Sequence, residues 1–171
     1  MDNVRLIEYN LKQIIMDILK AGHLAIDLMD KHNLLAKGWK FEFNNRKRSL
    51  GLCHPRKKTI FLSRIFTEQL PESEVRDTIL HEIAHALVGC DQGHNRVWQR
   101  KAREIGCTGT RCAELAQKGI EVEIQYKYLA TCSHCGKEYG VNRRKKRRSS
   151  CKCSGTGRFE ESHELKFIQQ Y

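Results

Sequence analysis

Two histidines four residues apart, with a glutamate beside the first, give His81-Glu82-Ile83-Ala84-His85 the makings of a hydrolytic zinc site. On a helix turning about 100° per residue, His81 and His85 leave one face roughly 40° apart, near enough to share an ion. Glu82 lies beside them, where a general base for an attacking water is needed. Val75, Ile79, Ile83, Ala86 and Leu87 fall on the other side, so the helix is expected to bury an apolar stripe and present a polar one. The bland alternative is a solvated helix that happens to carry two histidines. A catalytic zinc takes three protein ligands and keeps one position open, so a third ligand is needed. His94 is the candidate, because Gly89 and Gly93 let the chain turn back toward the helix; Asp91 is its rival.

The elements that must position these residues are readable on either side. Leu70-Pro71-Glu72-Ser73-Glu74 opens the helix, with proline in the first turn and carboxylates at the positive end of the dipole, and Gly89 stops it. A second periodic segment carries Trp98, Ala102 and Ile105. Upstream, Val4, Ile7, Leu11, Ile14, Ile15, Ile18, Leu19, Ala25 and Leu28 recur at helical spacing and predict a long first helix, bent at Gly22, that packs on the core. Its polar face mixes Glu8, Lys12, Asp17 and Lys20, unlike the basic face of a membrane-surface helix. After Gly38 the period changes to two: Trp39 to Asn44, Leu50 to Cys53 and Thr59 to Leu62 read as strands. Arg46 to Arg48 and His54 to Lys58 sit at their ends as solvated turns, with phosphate contact the sharper alternative.

Taken in order, Arg48-Ser49-Leu50-Gly51, Ile60-Phe61-Leu62-Ser63, Glu74-Val75-Arg76, the HEIAH stretch and Gly93-His94-Asn95-Arg96-Val97-Trp98 resemble the SprT-like (Spartan-related) zinc metalloprotease family, nearest in layout to its short bacterial members. The resemblance runs from about Trp39 to Ile105 and continues into a ribbon-like C-terminal segment. It implies an α+β, zincin-like metalloprotease domain with a small antiparallel sheet and an HExxH active-site helix. It also implies His81, His85 and His94 as zinc ligands, Glu82 as catalytic base, and DNA-associated proteins, including DNA–protein crosslinks, as substrates. The residues read on their own merits name the same four side chains.

A second part follows, with Lys118-Gly119 as the expected boundary: a protease domain over 1–118 and a zinc-ribbon-like module over 119–171. Cys107 and Cys112 read as ordinary thiols rather than half a metal site. Glu121 to Tyr128 alternates and predicts a strand entering the module. Cys132-Ser133-His134-Cys135-Gly136 is a zinc knuckle, and Cys151-Lys152-Cys153 completes four ligands for a structural zinc. One residue between the last two cysteines is shorter than the usual two, which leaves His134 or His163 open as substitutes. Between the half-sites, Arg143, Arg144, Lys145, Lys146, Arg147 and Arg148 form an unbroken positive run at an exposed tip. Phosphate backbone is its natural counterion, so DNA binding is expected to be electrostatic and largely independent of sequence. A solubility patch and a nuclear-import signal compete with that reading. Tyr139 and Phe159 flank the run, as ribbon core rather than base-stacking platforms.

Composition is consistent with this division. The chain has 171 residues, 40% of them apolar, and a formal net charge of +11, which favours polyanionic partners. No apolar window reaches membrane-span length, and the N-terminus lacks the basic tip and apolar block of a secretory signal. Eight cysteines beside such motifs point to metal and free thiols in a reducing compartment: cytoplasm or nucleoid, or a nucleus in a eukaryotic host. The reading is a zinc endopeptidase with one catalytic and one structural zinc, brought by its ribbon to DNA-bound or crosslinked proteins. Its alternatives are a non-proteolytic nucleic-acid-binding or transcription-associated zinc protein, against which an intact Glu82 argues, and a general zinc peptidase for free peptides.

Overall fold

The computed structural model describes residues 16–108, 120–144 and 146–171. The chain divides into two compact units, Met1–Val122 and Glu123–Tyr171, each described by itself below. The 118/119 boundary and Cys112 fall outside the described residues, as does Lys145 of the basic run.

Helix α1, Ile18–Lys31, begins where Asp17 accepts hydrogen bonds from the backbone N–H groups of Leu19 (2.7 Å) and Lys20 (3.2 Å). That cap interrupts the continuous helix expected from Val4, whose earlier turns lie in residues not described. Gly22 does not break α1, which buries Ala21, Ala25, Leu28 and Met29 while Leu19 is exposed.

Strands β1 (Lys40–Asn44), β2 (Gly51–His54) and β3 (Thr59–Ser63) follow closely the segments of period two. They form a mixed sheet of order β1-β3-β2, which corrects the antiparallel expectation. β2 and β3 are a hairpin closed by a 3₁₀ turn at Pro55–Lys57, while β1 runs parallel to β3, with Phe41 opposite Ile60. The stretch through β2 serves as the crossover that a parallel pair requires.

A short helix α2, Arg64–Thr67, leads to α3, Glu72–Val88, and then to α4, Arg96–Glu104. Pro71 occupies the N-cap of α3, Glu72 and Glu74 its first turn, and Gly89 (φ 96°) its C-cap, as the local chemistry dictates. α3 packs against α1, α4, β2 and β3, so it is covered nearly all round. Val75, Ile79, Leu80 and Ile83 are buried, each side chain contributing roughly 1.5–3 kcal/mol. His81, Glu82 and His85 are buried too. The expected polar face therefore exists chemically but not as a solvated surface.

In the second unit, β4 (Tyr128–Cys132), β5 (Glu138–Val141) and β6 (Leu165–Gln169) form an antiparallel sheet of order β5-β4-β6. Residues 121–127 alternate in exposure but are not strand, and the strand expected there begins at Tyr128. Tyr126 instead lays its ring over the β5 backbone at Gly140, where any Cβ would collide with it.

Candidate metal centres

α3 supplies two imidazoles from successive turns, and the Gly89–Gly93 turn brings back a third. Gly93 (φ 54°) precedes His94, and Asn95 then caps α4 by accepting from the N–H groups of Val97 and Trp98. The Nε2 atom of His94 lies 3.0 Å from Nε2 of His81 and 3.2 Å from Nε2 of His85. Ligands about 2.0–2.1 Å from a tetrahedral zinc are separated by roughly 3.3 Å, so the three nitrogens sit close to the edges of such a site. A metal accounts for this convergence better than hydrogen bonding, since neutral imidazoles facing one another through three lone pairs cannot satisfy all of them with one or two protons. Burial, followed by the neighbouring His94, holds His85 down at about 4, in the neutral form that donates a lone pair. Asp91 is not among the grouped ligands; its carboxylate accepts a bond from Gln92.

Trp98 forms the floor of this centre. Its fully buried ring lies 4.6 Å from His81, 5.1 Å from His85 and 4.6 Å from His94, measured between centroids. His85 Nδ1 is buried without a hydrogen-bond partner among the described residues, so its ring is held by stacking on the indole rather than by a carboxylate behind it.

Glu82 is fixed from the opposite quarter. The backbone N–H of Cys53 on β2 bonds to its carboxylate, and burial pushes the carboxyl up to about 7 against that lowering contact. A Cβ on Gly51 would fall 2.7 Å from Glu82 Oε1, so glycine there is what lets the side chain lie against the strand. Neither Gly51 nor the Cys53 main chain declares this role by composition. The available sequence signal was a glycine inside a strand pattern, which often marks close approach.

The four ribbon cysteines also converge. Cys132 and Cys153 sulfurs lie 3.7 Å apart and Cys135 and Cys151 sulfurs 3.8 Å apart, matching the roughly 3.8 Å edges of a tetrahedron with zinc–sulfur bonds of about 2.3 Å. The Cys135 backbone N–H points at Cys132 Sγ (3.5 Å) and holds that thiol below its ordinary value. Tyr139 Oη lies 3.0 Å from Cys151 Sγ and pulls that thiol down to about 6. Tyr139 thus serves the sulfur cluster. The short Cys151–Cys153 spacing is accommodated by a 3₁₀ turn at Lys152–Ser154 ending on Gly155 (φ 72°), and both sulfurs join the set. Cys53, Cys90 and Cys107 form no disulfide and lie outside the metal groups, Cys107 facing the Asp77 carbonyl at 3.7 Å.

The basic run is exposed at each described position from Arg143 to Arg148, but its members differ. Arg148 is committed within the ribbon: Nε to Glu164 Oε1 (2.7 Å), Nη2 to Glu164 Oε2 (2.7 Å) and Glu161 Oε1 (2.9 Å), with its guanidinium 4.9 Å above Phe159. Arg144, Lys146 and Arg147 make no such ion pair among the described residues and, with the paired Arg148 and Glu164, line a concavity of about 600 Å³ that Leu165, Lys166 and Phe167 of β6 complete. Lys166 is a basic residue that inspection of the run alone misses.

The SprT-like family model matches residues 23–125. The chain belongs to the SprT-like family. The match takes in α3, the three histidines and Glu82, and ends before the ribbon cysteines and the basic run. Comparison with curated proteins returns no match. Membership supports a function related to zinc metalloproteases, and the grouped histidines and cysteines suit zinc. Among the described residues, no helix is long and apolar enough to cross a membrane.

Proposed function

We propose that this SprT-like protein is a zinc-dependent endopeptidase of the zincin-like type acting on DNA-associated proteins, with repair of DNA–protein crosslinks its setting. The observation that carries the reading is a buried carboxylate, Glu82, next in sequence to His81, whose Nε2 atom, like that of His85, lies within 3.2 Å of Nε2 of His94. His81, His85 and His94 would hold the ion. When bound, zinc supplies a Lewis acid that polarises the scissile carbonyl and makes water a nucleophile near neutral pH. Glu82, aimed by the Cys53 N–H, accepts the proton of the attacking water and returns it to the leaving amine nitrogen. Trp98 keeps water from the back of the ligand set.

Cys132, Cys135, Cys151 and Cys153 form a structural zinc ribbon, and the concavity lined by Arg144, Lys146, Arg147 and Lys166 receives phosphate backbone without reading sequence. Such binding concentrates the enzyme beside DNA-bound substrate. The deciding experiment compares cleavage by the wild-type chain and by Glu82→Gln of a DNA-crosslinked protein and of the same protein free of DNA. Loss of cleavage with full zinc content supports the protease. Equal DNA binding without wild-type cleavage of any protein would favour a non-proteolytic nucleic-acid-binding protein.

A further inference from the structure

Beside the four-cysteine cluster lies another group of ligand-type side chains. One ring nitrogen of His134, one of His163 and the sulfur of Cys153 lie within 4.8 Å of one another. We propose that these three residues hold a second, weaker zinc ion in the ribbon, with the Cys153 thiolate shared between the two sites. The proposal rests on the reading that the four cysteines hold zinc.

Both histidines are placed by the fold. His134 sits inside the first knuckle, between Cys132 and Cys135. His163 closes the 3₁₀ turn Glu161–His163, and its carbonyl accepts from the backbone N–H of Cys151 at 2.8 Å. The two rings stack on each other beside Cys153, with centroids 4.2 Å apart and planes tilted by 23°. Nδ1 of His163 meets Glu160 Oε2 at 3.2 Å and Ser162 Oγ at 2.9 Å. A carboxylate behind one ring nitrogen fixes the tautomer and raises the basicity of the other, the usual support for a ligating histidine. His85 in the first centre lacks that support.

Charge favours the same conclusion. Four thiolates around one divalent ion leave two negative charges uncompensated, and a second divalent ion on neutral imidazoles and a bridging sulfur cancels them. Thiolate with imidazole selects zinc and similar borderline metals over hard cations, which take oxygen ligands. His134 and Cys153 are exposed, so small side-chain rotations bring the ligands to bonding distance, and solvent water completes the coordination. Three ligands, one of them shared, make this the ion that leaves first.

The test uses the full chain saturated with zinc, freed of excess metal and titrated with a graded series of chelators, with zinc counted by elemental analysis. Wild type should hold one equivalent more than His134→Gln/His163→Gln, and that equivalent should depart at the weakest chelator, while the variant keeps its circular dichroism and thermal transition. The single variant His134→Gln, at an exposed position, should lose the same equivalent. If wild type and both histidine variants hold equal zinc, the shared site is overturned, and the ribbon reading survives if Cys132→Ser/Cys135→Ser still loses an ion. If that cysteine variant loses none, the ribbon reading falls as well.

Discussion

The histidine centre and the cysteine centre solve opposite problems with similar geometry. The first takes two ligands from one buried helix and a third from the turn after it, and three nitrogens leave a coordination position open. The second takes four sulfurs from two turns at the ends of a small sheet; Cys132 and Cys151 are buried, Cys135 and Cys153 exposed, and no position is left for substrate. In the first, the surrounding core exists without the ion and holds the ligands ready. In the second, the described unit has few buried apolar side chains, chiefly Ala130 and the cysteines themselves, so the proposed ion would be a large part of its core. On the proposed reading, the number of open positions would separate reactivity from scaffolding, and the source of rigidity a site that tolerates metal loss from one that unfolds.

Glu82→Gln should break the reactive half most severely. Turnover should fall on the order of 10³-fold, within the span general-base catalysis supplies, with zinc content and Tm nearly unchanged, as read by peptide hydrolysis beside elemental analysis. Cys132→Ser/Cys135→Ser should do the reverse: the ribbon's zinc, that of the shared site included, and the ordered β4–β6 sheet disappear, by metal analysis and amide exchange, while hydrolysis of a small free peptide persists. Replacing Arg144, Lys146, Arg147 and Lys166 with Gln should flatten the dependence of log affinity on log salt by roughly three to four units for duplex DNA, as fluorescence anisotropy would report. Arg148→Gln should leave that slope nearly intact and lower the ribbon's thermal transition. Trp98→Phe should have the smallest effect, on the order of a tenfold loss of zinc affinity at the histidine centre, with Trp98→Ala losing more. If Trp98→Phe instead weakens the cysteine centre, the sites are not independent and the comparison fails.

Legibility in the sequence follows the range of the interactions. His81, Glu82, His85 and His94 are legible because they lie within a helix and its following turn, where spacing alone fixes geometry. The caps at Pro71 and Gly89 are equally local. Asp17 carries a cap signal too, but apolar periodicity from Val4 to Leu28 runs across it and conceals the break. The alternation of 121–127 is real as exposure, yet the ladders with β5 and β6 start at Tyr128, so alternation by itself does not make the strand. Arg148 reads like its five neighbours until Glu161 and Glu164, 13 and 16 positions later, fold back on it. The burial of the His81–Glu82 face depends on Trp98 and β2 arriving from elsewhere, which no period within α3 contains.

Asp77, on α3 one turn before His81, accepts from the Thr108 backbone N–H (2.7 Å) and hydroxyl (2.8 Å). This fastens the chain just beyond α4 back onto the helix that precedes it, and so closes a loop around the ligands themselves. His81 and His94 are 13 positions apart, whereas Cys132 and Cys153 are 21 apart and must wait for two knuckles to meet. Short-range closure carries the smaller entropic barrier and the faster search. The three imidazoles can thus gather over a helix and one turn, 13 positions, before the 31-position clasp at Asp77 closes behind them.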